Sequence, residues 1–477
     1  MNTFAKAASN QTAFTENNMK ARKSTSSACV DLFYNIGAMR GKDIVPSFTA
    51  AFVENADLAC RIALWARDVR QGAGERQIFK NILSYLDKNG HTDHAQALMN
   101  RVPELGRWDD LLIDLQNQEL RNHTFTMISD AIKNGDGLCA KWMPRKGDAA
   151  IALRNFMGMS PKCYRKTLVN LTKVVETQMC AKDWDNINYN HVPSLAASRY
   201  KKAFTRHSDK YKEYVAKLVS TDPKVRSEVK INAGAVYPYD VLKGKISHYY
   251  NAKFGKTELD AISAQWDALP NYTNGQNVLP LVDVSGSMTA NVGGNKNLTC
   301  LDVSVSLGLY CADKNTGPFK DMFLTFSVKP ELLTLNGNII QKIDQMANSN
   351  WTMGTNLHAA IKKILDVAIQ GSVASDDMPK MLLIMSDMQF NQCVKFDDSA
   401  IEMIRRKYEE AGYQMPVIVF WNLRATDNVP VKHDESDIVL VSGFSPSILK
   451  SILSANFEDF TPTARMMKTI MQERYNF

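Results

Sequence analysis

The stretch Asn277-Val-Leu-Pro-Leu-Val-Asp283-Val-Ser285-Gly286-Ser287-Met288 ends an apolar run in a carboxylate followed by two evenly spaced hydroxyls. Residues leaving a strand at i, i+2 and i+4 point the same way, so Asp283, Ser285 and Ser287 can offer three oxygens to one point, and Gly286 lets the turn close around it. A small hard cation such as Mg²⁺ takes six oxygens at short range and commonly keeps waters, which suits one carboxylate, two hydroxyls and a few groups from elsewhere. The pattern arises by chance in roughly one chain in ten of this length, so its context has to carry the reading.

That context alternates strands with helices. A helix is predicted over Leu301 to Lys314, then a strand from Asp321 to Val328, with Glu331 to Leu335 pairing back as a hairpin. The turn Trp351-Thr-Met-Gly354-Thr355-Asn356 opens a helix from Leu357 to Ile369, and a second apolar strand, Lys380 to Ser386, also ends in a carboxylate, Asp387. Strands at Pro416–Trp421 and Asp437–Val441 follow, separated from that strand by a helix from Ser399 to Ala411. Such alternation predicts a doubly wound parallel sheet with ligands at the carboxyl ends of its strands, where Asp283, Thr355 and Asp387 would meet.

Residues 277 to 460 thus resemble a von Willebrand factor A domain with a complete metal-ion-dependent adhesion site (MIDAS), the five matching positions being Asp283, Ser285, Ser287, Thr355 and Asp387. The resemblance implies Mg²⁺, or Mn²⁺, held directly by the hydroxyls and often through water by the aspartates. It also implies an open position that an acidic group of a partner can fill. The competing reading is a degenerate domain in which these residues only cap strands.

With 477 residues, 45% hydrophobic and 22% charged, the chain has length for two or three domains with ample cores. No segment approaches the roughly eighteen continuous apolar residues of a membrane span, and Met1 to Asn10 lacks the apolar centre of a signal peptide. A cytoplasmic protein, monomeric, is expected. The eight cysteines are scattered without a C-x-x-C pair and read as buried thiols in a reducing compartment. His91 and His94 form an H-x-x-H inside a polar turn, which reads as solvated rather than metal-binding.

The first 255 residues are helical in pattern and nearly lack strand signals. Leu58, Ile62, Trp65 and Val69 share one helical face, as do Ile78, Ile82 and Leu86. Ser160-Pro161 opens an amphipathic stretch running to about Cys180, and Ser194 and Ser208 precede further helices. Helices of ten to twenty residues joined by short turns predict an irregular α-solenoid of HEAT-like pairs or a compact bundle. Positive charge is local. Between Lys141 and Lys230 nineteen Lys and Arg stand against eight Asp and Glu, a balance of +11, whereas the whole chain carries +7. Trp142, Tyr164, Trp184, Tyr189, Tyr200, Phe204, Tyr211 and Tyr214 interleave these charges, which suits phosphate neutralisation and base stacking if the rings are accessible, and an ordinary core if they are not.

A helical array followed by such a metal-site domain resembles the TROVE module of the Ro ribonucleoprotein family, and more closely the Ro-like group of phages, bacteria and plants. The residues carrying the likeness are Ser24–Phe33, Ala66–Arg76, Val102–Leu112 and Trp184–Ser194. The family's Trp-Ser-His-Lys-Asp element is not present as such. The resemblance implies a solenoid of residues 1–255 that closes into a ring and takes single-stranded ends of noncoding RNA into a positive hole. His191, on the His191-x-Pro-Ser element, is a candidate RNA contact on that basis. Lys141, Arg145, Lys146, Arg165, Lys166, Arg199, Lys201, Lys202 and Arg206 are candidates by local charge density.

Residues 256–276 are expected to be a linker, and 461–477 a terminal helix opened by Pro462 and packed through Met466, Ile470 and Tyr475. No Walker loop, G-x-S-x-G, G-x-G-x-x-G or H-E-x-x-H is present, and hydrolytic metal sites usually add histidine or further carboxylates, so no enzyme is expected. Two functions remain: an RNA-binding protein with a metal-dependent docking site, and a metal-dependent assembly factor without an RNA ligand.

Overall fold

The computed structural model describes residues 12–242, 245, 254–273, 277–292, 297–326, 329–347, 355–391, 399–424, 428–448, 452 and 461–477. A short antiparallel hairpin, β1 (Thr12–Phe14) and β2 (Lys20–Arg22), comes first. The later strands form one six-stranded sheet: β3 (Val278–Asp283), β4 (Met322–Phe326), β5 (Leu332–Thr334), β6 (Met381–Ser386), β7 (Val417–Asn422) and β8 (Ile438–Ser442). Its order is β5-β4-β3-β6-β7-β8, parallel throughout except for β5 at one edge. Every residue of β3, β6, β7 and β8 is buried, as their unbroken apolar runs require of strands covered on both faces. Pro280 is tolerated in the centre because β3 pairs with β4 only from Leu281 onward, so on that side no ladder bond needs its missing N–H.

Side-chain alternation splits the sheet into two faces. Leu279 and Leu281 join a core with Ile361, Leu365, Ile401 and Ile404, from the helices Leu357–Gln370 and Ala400–Glu410. Val278 and Val282 face the other way, into a core that runs through the helix Cys300–Lys314 to the first helices of the chain. That helix is buried on nearly all sides because it is sandwiched between sheet and helical part. Beyond it, Trp266 Nε1 donates to Asp313 Oδ2 at 2.8 Å.

The helical part consists of two packets. In the first, the helices Ala28–Ile36, Val45–Glu54, Ala56–Arg67, Arg76–Lys88, Thr92–Asn100 and Gln118–Lys133 pack each on the next and share the core of the inner sheet face. The second packet, built on Ser194–His207, Asp209–Leu218 and Lys256–Asp267, has its own core around Phe204, Tyr211 and Tyr214. Motif residues quoted above hold the first packet together. Arg67 Nε donates to Asp110 Oδ2 at 2.6 Å with both side chains buried, Arg76 Nε bonds the other oxygen at 2.7 Å, and Arg40 pairs with buried Glu75 at 2.6 Å. Gly72 is obligatory here: a Cβ would lie 1.8 Å from the Trp65 carbonyl oxygen.

Four expectations need correction. Residues 256–276 do not begin as a linker, since 256–267 is a helix whose Ile262 and Trp266 are buried. Residues 12–22 do not belong to the helical array but lie on the sheet, Arg22 N donating to Val429 O at 2.9 Å and Val429 N to Arg22 O at 2.8 Å. The helix opened by Pro161 stops at Leu171, where the Thr172 hydroxyl turns back onto the Leu168 carbonyl at 2.6 Å, and a separate helix spans Val175–Cys180. Cys163 and Cys180 are exposed, while Cys29, Cys60, Cys139, Cys300 and Cys311 are buried; Cys393 lies outside the described residues.

The tail forms a helix, Pro462–Ile470, and a short 3₁₀ turn, Glu473–Tyr475. Met466, Ile470 and Tyr475 are buried in the core shared with the first packet. Arg474 Nη2 donates to buried Asp68 at 3.0 Å and the Tyr475 hydroxyl to the same carboxylate at 3.1 Å, so the end of the chain is fastened to its beginning. Among the described residues no helix is long and apolar enough to cross a membrane.

Candidate metal centre and nucleic-acid groove

β3 and β6 lie side by side, so their carboxyl ends bring Asp283 and Asp387 together. Both carboxylates are fully buried. Asp283 Oδ1 accepts from Ser285 N at 2.8 Å, its other oxygen accepts from the Ser386 hydroxyl, and the Ser285 and Ser287 hydroxyls lie 3.0 Å apart. The Asp387 carboxylate accepts from Gln389 N at 3.4 Å, and the neighbouring Ser287 hydroxyl offsets part of the rise in its pKa. Thr355 is buried on the loop entering the helix Leu357–Gln370, and its carbonyl accepts from Asn391 N at 2.9 Å. The turn residues 351–354 before it lie outside the described residues.

Two buried carboxylates at this spacing are electrostatically incomplete. Burial and then the Asp387 charge push the Asp283 carboxyl up to about 7, and burial likewise raises Asp387. Asp387 Oδ2 is buried and accepts no hydrogen bond, with the Arg424 guanidinium 3.7 Å away. A buried carboxylate oxygen without a hydrogen-bond donor is costly, and a hard divalent cation would satisfy it while cancelling the repulsion. Among the described residues no three His, Cys, Asp or Glu gather. The oxygens that do meet at the strand ends are two carboxylates and the hydroxyls of Ser285, Ser287 and Ser386, a hard donor set of the kind Mg²⁺ or Mn²⁺ takes.

Ser386, Gln389 and Arg424 belong to this centre and were not singled out from the sequence. Ser386 adjoins Asp387, so a second hydroxyl at the strand end was the signal to follow. Nothing local marks Glu16, whose charge, from the tip of the β1–β2 hairpin, also raises Asp387.

The basic segment resolves differently. Tyr164, Tyr189, Phe204, Tyr211 and Tyr214 are buried core, as their mutual ring contacts show, leaving Trp142, Trp184 and Tyr200 half-buried. Arg145, Lys146, Arg165, Lys166, Arg199, Lys202, Arg206 and His191 are exposed, and Lys141 is half-buried. Lys201 is not a solvent-facing contact: it is 7% exposed, and burial, then neighbouring Lys202, lower its pKa to about 8. A groove of about 1250 Å³ lies at the seam between the two helical packets, gathering Lys141, His191 and Arg199 with Arg107, Lys173, Trp142 and Tyr200. Arg145, Lys146, Arg165, Lys166, Lys202 and Arg206 do not line it. The Arg107 guanidinium stacks 3.6 Å over the Trp142 ring and pairs with Asp109 at 2.7 Å. His91, at the start of the helix Thr92–Asn100, and His94, within it, pack their half-buried rings on Phe52 at 4.7 and 5.1 Å, and among the described residues they gather no further metal-ligating group.

Fold and site define a helical protein joined to a mainly parallel α/β sheet that carries a hydroxyl and carboxylate cluster at its strand ends. Residues 277–474 match a domain of unknown function, DUF7788, and residues 15–107 and 159–272 match another, DUF2828. An uncharacterized protein of Acanthamoeba polyphaga mimivirus is 29% identical over 514 residues, covering 96% of this chain and 87% of that relative. The crystal structure of the Deinococcus radiodurans Ro (RSR) protein superposes with a TM-score of 0.48 at 14% identity, covering 94% of this chain and all of that one.

Proposed function

We propose that this chain is a Ro-like RNA-binding protein that takes single-stranded RNA into the groove between its helical packets. In this reading a von Willebrand factor A-like domain holds Mg²⁺ through Asp283, Ser285, Ser287, Thr355 and Asp387 and docks an acidic partner. The groove carries the proposal: it sets Arg107, Lys141, Lys173 and Arg199 around Trp142 and Tyr200, so cations for phosphates stand beside rings for unpaired bases. The likeness of the quoted motifs to the Ro family supports the same ligand. The metal centre is read as a docking site because its donors are mainly hydroxyls, without the added histidines or carboxylates of hydrolytic centres.

Each phosphate contact with a single strand contributes about −0.7 to the slope of log affinity against log salt. Replacing Lys141, Lys173 and Arg199 together by Ala should reduce that slope by about two units in fluorescence anisotropy with a labelled single strand, and a blunt duplex should bind less well than the strand. An unchanged slope removes the groove from the RNA site. The apolar side chains Leu138 and Leu195, 64% and 41% exposed on the groove wall, favour the second reading, a protein-docking assembly factor. Failure of the wild type to bind any RNA at low salt selects it.

A further inference from the structure

The groove between the helical packets is basic, yet two carboxylates stand in its lining, Asp136 and Glu176. A groove that only neutralises phosphates gains nothing from either. Asp136 is accounted for by the fold. Its Oδ1 accepts from Leu138 N at 2.8 Å and Cys139 N at 2.9 Å, capping the helix Gly137–Trp142, and its Oδ2 accepts from Trp108 Nε1 at 3.1 Å. Glu176 is not used in this way. It is half-buried in the first turn of the helix Val175–Cys180, where the helix dipole tolerates an acid, and the Tyr200 hydroxyl donates to its Oε1 at 3.3 Å. No lysine or arginine among the described residues pairs with it.

Tyr200 ties this carboxylate to a surface on which a base can lie. Its half-buried ring lines the groove and packs edge to face on Phe204, with centroids 6.1 Å apart, and Arg199 beside it in sequence is a cation for the adjoining phosphate. An ionised carboxylate only accepts hydrogen bonds, and its two oxygens match two donors set side by side. Of the four RNA bases, guanine presents that pair on its Watson–Crick edge, N1–H next to the N2 amino group. Adenine and cytosine set an acceptor beside their amino group, and uracil flanks its N3–H with two carbonyls.

We propose that Glu176 selects guanine at the nucleotide stacked on Tyr200, so that the groove takes guanine-bearing single strands in preference to others. The inference rests on the reading of this groove as the RNA site and adds a base preference to it. Cations and rings set affinity without regard to sequence. The carboxylate repels every strand alike, and only guanine offsets that repulsion with two hydrogen bonds to a charged acceptor.

The test uses the full chain and fluorescein-labelled dodecauridine, plain or with one central guanosine, inosine or adenosine, in fluorescence anisotropy. The readout is the ratio of each affinity to that of the plain strand within the same protein, so a general loss of affinity cancels. In the wild type one guanosine should tighten binding about tenfold, and inosine, which lacks the N2 amino group, should lose most of that gain. Glu176→Gln, whose carboxamide sets a donor beside an acceptor, should abolish the guanosine preference and raise the adenosine ratio. Tyr200→Phe keeps the ring, removes the bond that holds the carboxylate, and should give a guanosine ratio between those of the wild type and Glu176→Gln. Equal ratios for all bases in a wild type that binds the plain strand, or a guanosine preference that survives Glu176→Gln, overturn the role of Glu176 and leave the groove standing as an RNA site. Absence of wild-type binding to every strand at low salt overturns both.

Discussion

Replacing buried Lys201 by Met tests the assignment of charge in the basic segment. Lys201 is 7% exposed on the helix Ser194–His207, with its ammonium 5.8 Å from the Phe254 ring and Lys202, Glu258 and Asp240 as its charged neighbours. Its pKa falls from 10.5 to about 8, chiefly through burial. At about 1.4 kcal/mol for each tenfold, that difference amounts to roughly 3 kcal/mol against the folded state at neutral pH. The sign is that of a depressed base: between about pH 8 and 10.5 the unfolded chain holds the proton and the folded one does not, so stability rises with pH there. Below about pH 8 both states are protonated and the full cost is present. Lys201→Met, which keeps the stem's volume and removes the charge, should therefore stabilise the protein by about 1 to 3 kcal/mol in urea denaturation at pH 7. The advantage over wild type should shrink on going to pH 10. The same variant should leave the salt slope of RNA binding unchanged. A variant less stable than wild type at pH 7, or an advantage independent of pH, refutes the buried-charge argument, and a reduced salt slope would restore Lys201 as a phosphate contact.

Three further outcomes follow from the packing. Gly37→Ala should destabilise by about 1 to 3 kcal/mol in thermal melts, because its Cβ would stand 2.4 Å from the Ser442 carbonyl oxygen, where the first helix abuts β8. Asp283→Ala should abolish Mg²⁺ binding in titration calorimetry while the circular dichroism spectrum stays unchanged; equal binding would dissolve the assignment. Arg474→Ala leaves the buried Asp68 carboxylate with the Tyr475 hydroxyl and the Arg70 N–H but no cation, and should cost about 2 to 4 kcal/mol in urea denaturation, monitored on the helical signal. Removing 461–477 should do at least as much, whereas a helical signal that melts independently of the tail would contradict the shared core.

The sheet was legible because its information is local: β3, β6, β7 and β8 are unbroken apolar runs, and the carboxylates at two of their ends announce a site. The predicted strand from Asp321 and the helices from Leu301, Leu357 and Ser399 differ from the structure by a residue or two at their described ends. Long-range pairings gave no such signal. Nothing around Thr12 to Arg22 says that it would pair with Asn391, Ser399 and Val429, because a three-residue strand is specified by its partner and not by its own pattern. Charge density misled at Lys201 for the opposite reason. A helix face alternates with a period that a count over ninety residues averages away, so a buried lysine and an exposed one weigh alike. Arg107 went unselected because it lies outside the basic segment, although it stands in the Arg107-Trp-Asp-Asp motif.

The fastening of residues 12–22 and Gly37 to β8 and its neighbours also constrains the order in which the chain can mature. During synthesis the hairpin and first helix emerge early, yet Arg22 must wait for Val429 and Gly37 for Ser442 before these long-range bonds can form. Pairings this distant in sequence are slow to form, since a long loop must close before any contact rewards it. The amino-terminal helices therefore spend most of translation as an incomplete assembly with one apolar face bare, the state in which a nascent chain depends on chaperones. Native structure then arrives late and together, when the last strands reach the solvent outside the ribosome.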